Sequence, residues 1–273
     1  MTVRTSHIGD LPNALSERGE LDRRLGGARP AVFLDYDGTL TPIVERPEDA
    51  VISDGMRDVV QRLARRCTVC VVSGRDRAVV QDLMGIHDLV VAGSHGFDIW
   101  SPDQGTIEHD VATDYEDLLA EVTRRLRHEL QGIDGALVEP KKASVAAHYR
   151  LVAPSARARV EEVVEQLLAK HPEELKVTPG KMVYELQPKI EWDKGRAVLY
   201  LLEALHLDGD EVVPLYFGDD ITDEHAFEAL AGRGIGVFVG NPDDPEVADR
   251  TTAADFVLAS IDEVEQLLDS LAR

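Results

Sequence analysis

Short apolar runs, each ending in a polar loop and followed by an amphipathic helix, recur along this chain, and that alternation restricts its fold more than any other feature. Ala31 to Leu34 is one such run and ends at Asp35. Ser53 then stands where an N-cap is needed, ahead of Met56, Val59, Val60 and Leu63 at i, i+3, i+4 and i+7. Thr68 to Val72 is the second run, ending at Ser73-Gly74-Arg75 before helical Val79, Val80 and Leu83, and Leu89 to Ala92 is the third. The pattern resumes after Lys194. A helix carries Ala197, Val198, Leu201, Leu202 and Leu205, a strand runs from Val212 to Phe217, a short helix starts near Thr222, and Ile235 to Val239 is a further strand. Phe256 to Leu258 is the last strand, and Ser260 with Glu263 makes a capping box for a final helix through Leu271. Strands alternating with helices in this way predict a doubly wound α/β fold, a largely parallel sheet covered on both faces.

Between the two halves the alternation changes character. A hairpin over Phe97 to His109, turning at Pro102 to Gly105, leads into a helix over 114–130, strands over 136–139 and 144–150, a helix over 155–170, and strands over 175–178 and 182–187. This αββαββ order predicts an inserted α+β domain over 111–188, with 1–110 and 189–273 forming one discontinuous core. A length of 273 residues suits one large domain plus a smaller one.

Composition removes several functional classes. The net charge of −22 repels the phosphate backbone, so nucleic acid is not expected as a partner. No stretch approaches the roughly 18 to 20 apolar residues that span a bilayer, so no membrane association is expected either. Met1 to Leu25 has no apolar h-region of a secretory signal, and a cytoplasmic location is expected. Cys67-Thr68-Val69-Cys70 matches a redox or zinc C-x-x-C in form. On a buried strand, however, positions three apart face opposite sides of the sheet, and no second pair completes a metal site, so both cysteines are expected to be packing residues.

Four polar clusters stand at the ends of predicted core strands or the start of a core helix, where open α/β sheets bind ligands. Asp35-Tyr36-Asp37-Gly38-Thr39 follows the first strand, Ser73-Gly74 the second, Lys194 opens a helix, and Gly218-Asp219-Asp220 with Asp223 follows the next strand. Each fragment alone is an ordinary turn or helix start; their ordered conjunction is what points to chemistry. Asp35, Asp37, Asp219, Asp220 and Asp223 would repel one another in a dry pocket, so a hard cation must offset them, and an all-oxygen set suits magnesium. Thiolates and paired histidines, which zinc would want, are missing. With Lys194 and Mg2+ offsetting the charge of a phosphate, one aspartate can serve as nucleophile and another as acid, then base.

These four motifs, in this order, resemble those of the haloacid dehalogenase (HAD) superfamily of phosphotransferases. The resemblance implies a Rossmann-like core with an inserted cap domain. It further implies Asp35 as nucleophile, Asp37 as general acid and base, and Thr39, Ser73, Gly74 and Lys194 around the phosphate. Asp35, the Asp37 carbonyl and Asp219 would contact the metal, with Asp220 and Asp223 in its outer surroundings.

Positive charge gathers in the insertion, at Glu139-Pro140-Lys141-Lys142-Ala143-Ser144 through His148-Tyr149-Arg150 and at Gly180-Lys181 through Glu185. On a strand, Ser144, Ala146, His148 and Arg150 share one face, and donors beside the carboxylates Glu139 and Glu185 suit a sugar's hydroxyls; a solvated outer face of a small sheet is the plainer reading. Together with Leu34 to Pro42, Gly93-Ser94-His95-Gly96 and Trp192-Asp193-Lys194-Gly195, these segments resemble trehalose-6-phosphate phosphatases over residues 28–270. That resemblance implies a glucose-binding set of Glu139, Lys141, His148, Arg150, Lys181 and Glu185, with His95 and Gly96 beneath. It also implies a small sugar phosphate as substrate and metabolic coupling to a trehalose-6-phosphate synthase. Two alternatives stay open: another sugar phosphatase, acting on sucrose 6-phosphate or mannosyl-3-phosphoglycerate, and a noncatalytic phosphosugar-binding protein. Retention of Asp35, Asp37, Lys194 and Asp219 together argues against the second.

Overall fold

The apolar runs are strands of one sheet, and their alternation decides which side chain enters which of two cores. The computed structural model describes residues 5–44, 46–107, 110–180, 182–190 and 192–273, without the side chains of 110–114 and 178–180. The chain divides into two compact units, Met1–Ile107 with Trp192–Arg273, and Glu108–Glu191. In chain order the first unit begins with β1 (Ser6–His7), α1 (Arg18–Leu25), β2 (Arg29–Leu34), α2 (Asp54–Ala64), β3 (Thr68–Val72), α3 (Arg77–Met84), β4 (Val90–Gly93), β5 (Asp98–Ser101) and β6 (Gly105–Ile107). The second unit is α4 (Asp110–Glu129), β7 (Leu137–Pro140), β8 (Val145–His148), α5 (Arg157–Lys170), β9 (Leu175–Gly180) and β10 (Val183–Pro188). The first unit then resumes with α6 (Lys194–Ala204), β11 (Val212–Gly218), α7 (Ile221–Leu230), β12 (Ile235–Val239), α8 (Pro245–Ala248), β13 (Thr251–Thr252), β14 (Phe256–Leu258) and α9 (Ile261–Leu271).

The main sheet has the order β14-β12-β11-β2-β3-β4-β5-β6. From β14 to β4 the pairs are parallel, and β5 and β6 add the antiparallel hairpin. Successive residues enter opposite layers. Val32 and Leu34 pack with Met56, Val60 and Leu268 on one face, while Ala31 and Phe33 pack with Val198, Leu201 and Phe227 on the other. Cys67 and Cys70 separate in the same way, one into each layer, as free thiols. Burial pushes the Cys67 thiol up to about 11, well away from the reactive range. Both N-caps read from the sequence form, Ser53 accepting from the Met56 N–H at 3.1 Å and Ser260 from that of Glu263 at 3.3 Å, but the box at Ser260 is not closed: the Glu263 carboxylate accepts from the Ala259 N–H at 2.7 Å instead of that of Ser260.

Of the first 25 residues, for which sequence patterning offers no structure, the described ones, 5–25, are part of this core. β1 pairs with β13, the Ala14 N–H donates to the Val257 carbonyl, and the Val257 N–H donates to that of Pro12. Residues 12–14 thereby cover β14, the edge strand of the sheet, and Ile8, Ala14 and Leu21 are fully buried.

In the second unit the antiparallel order is β7-β8-β10-β9. Val145, Ala147 and Leu186 face α4 and α5 and pack on Val122, Leu126, Val160 and Val163. The intervening positions fall on the other face, where Glu139, Ala146 and Glu185 stand opposite one another across three strands. Among the described residues, no helix is long and apolar enough to cross a membrane.

Candidate active site

Asp35 extends β2 by one residue, its N–H donating to the Phe217 carbonyl of β11 at 2.9 Å, so the carboxyl ends of these two central strands bring Asp35 beside Gly218 and Asp219. Lys194, the first residue of α6 and only 3% exposed, donates to Asp35 Oδ1 at 2.8 Å and to Asp223 Oδ1 at 2.7 Å. Asp223 is fully buried and accepts from four donors: Lys194 Nζ and the Tyr216 hydroxyl on Oδ1, and the Asp219 and Asp220 N–H groups on Oδ2. Its side chain therefore fixes both the ammonium and the turn that carries Asp219. The exposed Asp220 caps α7 and stays out of the carboxylate cluster.

Carboxylate oxygens of Asp35, Asp219 and Asp223 lie within 4.8 Å of one another. Lys194 offsets one of the three charges and leaves two, which a divalent cation would balance. Burial, reinforced by the Asp223 carboxylate, pushes Asp219 up to about 7, and burial raises Asp35 well above the usual carboxyl range despite Lys194. Burial pulls Lys194 downward, but Asp35 and Asp223 outweigh it and hold the ammonium above its usual value. Asp219 Oδ1 and Thr39 Oγ1 are buried with no protein hydrogen-bond partner. The donor set thus fits a hard cation at Asp35 and Asp219, with Thr39 poised for an oxyanion.

Gly38 makes the approach possible. Its φ is +81°, and a Cβ there would lie 2.1 Å from Asp219 Oδ2. Asp37, on the same turn, is half-buried and held by a fork: Arg75 Nε donates to Oδ2 and Nη2 to Oδ1, both at 2.6 Å. Arg75 also donates to the Pro47 carbonyl at 2.7 Å. Ser73 directly follows β3, 1% exposed, and its hydroxyl accepts from the Arg75 N–H. Above Gly74 lies the His95 ring, whose Cε1 would be 2.7 Å from a Cβ on that glycine. Ser94, His95 and Gly96 all have positive φ, at 51°, 57° and 95°. This strained turn is pinned by the His95 N–H on the Ser73 carbonyl at 2.8 Å and by Trp192 Nε1 on the His95 carbonyl at 3.2 Å.

In the second unit, Glu139 Oε2 lies 2.8 Å from His148 Nε2, and Glu185 Oε1 accepts from Ser144 Oγ at 2.6 Å and Lys141 Nζ at 3.3 Å. The sheet brings these five side chains onto its helix-free face. Arg150 lies beyond β8 in a turn and is exposed, and Lys181 lies outside the described residues.

The trehalose-phosphatase family model matches residues 33–261. This chain belongs to that family. It is 41% identical to a trehalose-phosphate phosphatase of Mycobacterium tuberculosis, an alignment covering 100% of this chain and 69% of that protein. It is 43% identical to an uncharacterized glycosyl hydrolase of the same organism over 97% of this chain, and spans only 20% of that protein's length. Among solved structures, the trehalose-6-phosphate phosphatase of Aspergillus fumigatus superposes with a TM-score of 0.64 at 28% identity, covering 96% of this chain and 98% of that one. The core architecture is that of HAD-like hydrolases.

Within this trehalose-phosphatase chain, two residues at the site escape a motif reading. Arg75 is visible only as the third residue of Ser-Gly-Arg, with nothing to say that it grips Asp37. Tyr216 reads as an apolar strand residue, yet its hydroxyl donates to Asp223 at 2.7 Å. Its position in the strand interior beside an aspartate-rich turn is the one signal for it.

Proposed function

We propose that this chain hydrolyses trehalose 6-phosphate to trehalose and phosphate through an aspartyl-phosphate at Asp35, and that it requires Mg2+. Three carboxylates around one buried ammonium, at the carboxyl ends of the central strands, carry the reading. Lys194 holds Asp35 Oδ1, which leaves Oδ2 to attack phosphorus. As the bond from phosphorus to the sugar oxygen breaks, Asp37 gives its proton to that oxygen. Asp37 then takes a proton from water, whose oxygen attacks phosphorus, breaks the bond to Asp35 and frees phosphate. Both oxygens of Asp37 sit in the Arg75 fork, so proton delivery requires the fork to release one of them. Thr39, Ser73, the Gly74 backbone and Lys194 hold the phosphate oxygens in this scheme. Asp35, the Asp37 carbonyl and Asp219 hold Mg2+, which supplies charge neutralisation for the phosphate oxygens when bound. Asp220 and Asp223 support that site through the turn they order.

Sugar selection falls to Glu139, Lys141, His148, Arg150, Lys181 and Glu185 of the second unit. The free, buried thiols of Cys67 and Cys70 suit a reducing, cytoplasmic setting, where a trehalose-6-phosphate synthase would supply the substrate. Phosphate release from trehalose 6-phosphate, sucrose 6-phosphate and glucose 6-phosphate, with Mg2+ and with chelator, tests the proposal. The expected result is the highest kcat/KM for trehalose 6-phosphate and none in chelator. A higher value for sucrose 6-phosphate would overturn the substrate, and full activity in chelator the metal.

A further inference from the structure

Arginines in this chain have carboxylates to spare, with 51 acidic residues against 29 basic ones. Arg18, Arg23, Arg57 and Arg75 each take one, and Arg24 and Arg62 each take two. Arg29, Arg65 and Arg66 are exposed and, among the described residues, form no ion pair and no side-chain hydrogen bond. All three line one groove of 420 Å³ at the amino ends of the central strands.

The chain path explains why they meet. Ala31 pairs with Thr68 across parallel β2 and β3, so Arg29 and Arg66, each two residues upstream, arrive at the same corner of the sheet. Arg65, the C-cap of α2, is the residue before. Cys67 lies between them, and its thiol feels the positive charge of both Arg29 and Arg66. Asp88, Ser101, Asp103 and Gln104 line the same groove, but neither aspartate pairs with any of the three guanidiniums. Three like charges outnumber the two aspartates of the groove and are paired with neither, so they repel one another, weakly in solvent, and a bound polyanion turns that repulsion into attraction. Guanidinium forks match phosphate oxygens in geometry, and the groove falls in the range of about 300 to 1,000 Å³ used by small ligands.

We propose that this groove is a binding site for a small phosphate-type polyanion, distinct from the phosphate site at Asp35. The six residues of β2 separate the two by roughly 20 Å at about 3.3 Å per residue. The site stands independently of the proposed substrate.

Pyrophosphate is the probe, titrated calorimetrically into the metal-free full chain at about 0.1 M salt, where charges beyond about 10 Å are screened and the overall negative field matters little. The proteins compared are the unaltered chain, an Arg65→Gln/Arg66→Gln double variant, an Arg29→Gln variant, and Arg233→Gln as a control at an exposed arginine elsewhere. Hydrogen exchange localises the ligand. The expected result is a binding event weakened about tenfold or more in the double variant and weakened in Arg29→Gln, as loss of charged hydrogen bonds requires. Arg233→Gln should bind like the unaltered chain, phosphatase turnover of the double variant should be unchanged, and exchange should slow over residues 64–69 and 101–104. Equal binding by the double variant and the unaltered chain, or slowing confined to residues 35–39 and 73–75, would overturn the proposal. So would the absence of any pyrophosphate binding.

Discussion

At the scale of single residues, the site depends on atoms that tolerate almost no displacement. Asp35→Asn keeps the shape of the side chain and its place between Lys194 and the β11 backbone but replaces the carboxylate proposed as nucleophile with an amide. Turnover should fall by many decades, since phosphate-monoester hydrolysis has enhancements up to about 10²¹-fold to lose, while circular dichroism and the unfolding midpoint stay near those of the unaltered chain. A well-folded Asp35→Asn protein with near-normal phosphate release would rule out the covalent route. Gly38→Ala tests the close approach of the two catalytic turns. At φ +81° an alanine is strained by about 1 to 2 kcal/mol, and its Cβ would push Asp219 aside. Lower stability in denaturant together with a loss of turnover of about a hundredfold is expected, the scale of a 1 Å misplacement. Full activity would show that Asp219 has room to move. Asp35, Asp37, Lys194 and Asp219 were legible as candidates because each follows a recognisable strand or opens a helix. The Arg75 fork and the fourfold commitment of Asp223 were not, because they join residues far apart in sequence.

At the scale of elements, hydrophobic periodicity located the strands other than the two-residue β1 and β13, and most helices, to within a few residues, but it was silent on α1. Only Leu21 and Leu25 of its eight residues are buried, a spacing of one turn that ordinary polar sequence matches by chance. What holds α1 is the core it meets, so its stability contribution is tertiary. Leu21→Ala should cost about 3 kcal/mol, the range for a buried leucine that leaves a cavity, read as a shift of the denaturation midpoint at unchanged slope. A shift below about 0.5 kcal/mol, typical of surface substitutions, would mean that α1 packs loosely. The turn over Ser94 to Gly96 is a second element that periodicity cannot find. Left-handed Ser and His residues are held there by hydrogen bonds to the ends of neighbouring strands, and a window of local sequence contains none of those partners.

At the scale of the whole molecule, chemistry and selection are assigned to different units, which makes them separable by experiment. Glu185→Gln keeps the acceptor for Ser144 Oγ but removes the charge that Lys141 meets. The expected outcome is a loss in kcat/KM for trehalose 6-phosphate of about 1 to 3 kcal/mol, the scale of a polar partner left unsatisfied once substrate covers it, with little change for a small aryl phosphate. Equal losses on both substrates would make Glu185 a structural residue, and no loss on either would remove it from sugar binding. The alternation of the main strands and helices, the αββαββ order of the second unit and the candidate residues of the phosphate site are legible in the sequence, since burial periodicity and short motifs are local signals. Which carboxylates converge, which arginine guards Asp37, where residues 5–25 pack and which face of the second sheet carries Glu139, His148 and Glu185 together were decided by tertiary structure. Those relations depend on strand register and on distances between residues far apart in sequence, 250 positions in the case of Asn13 and Glu263, and no local pattern encodes them.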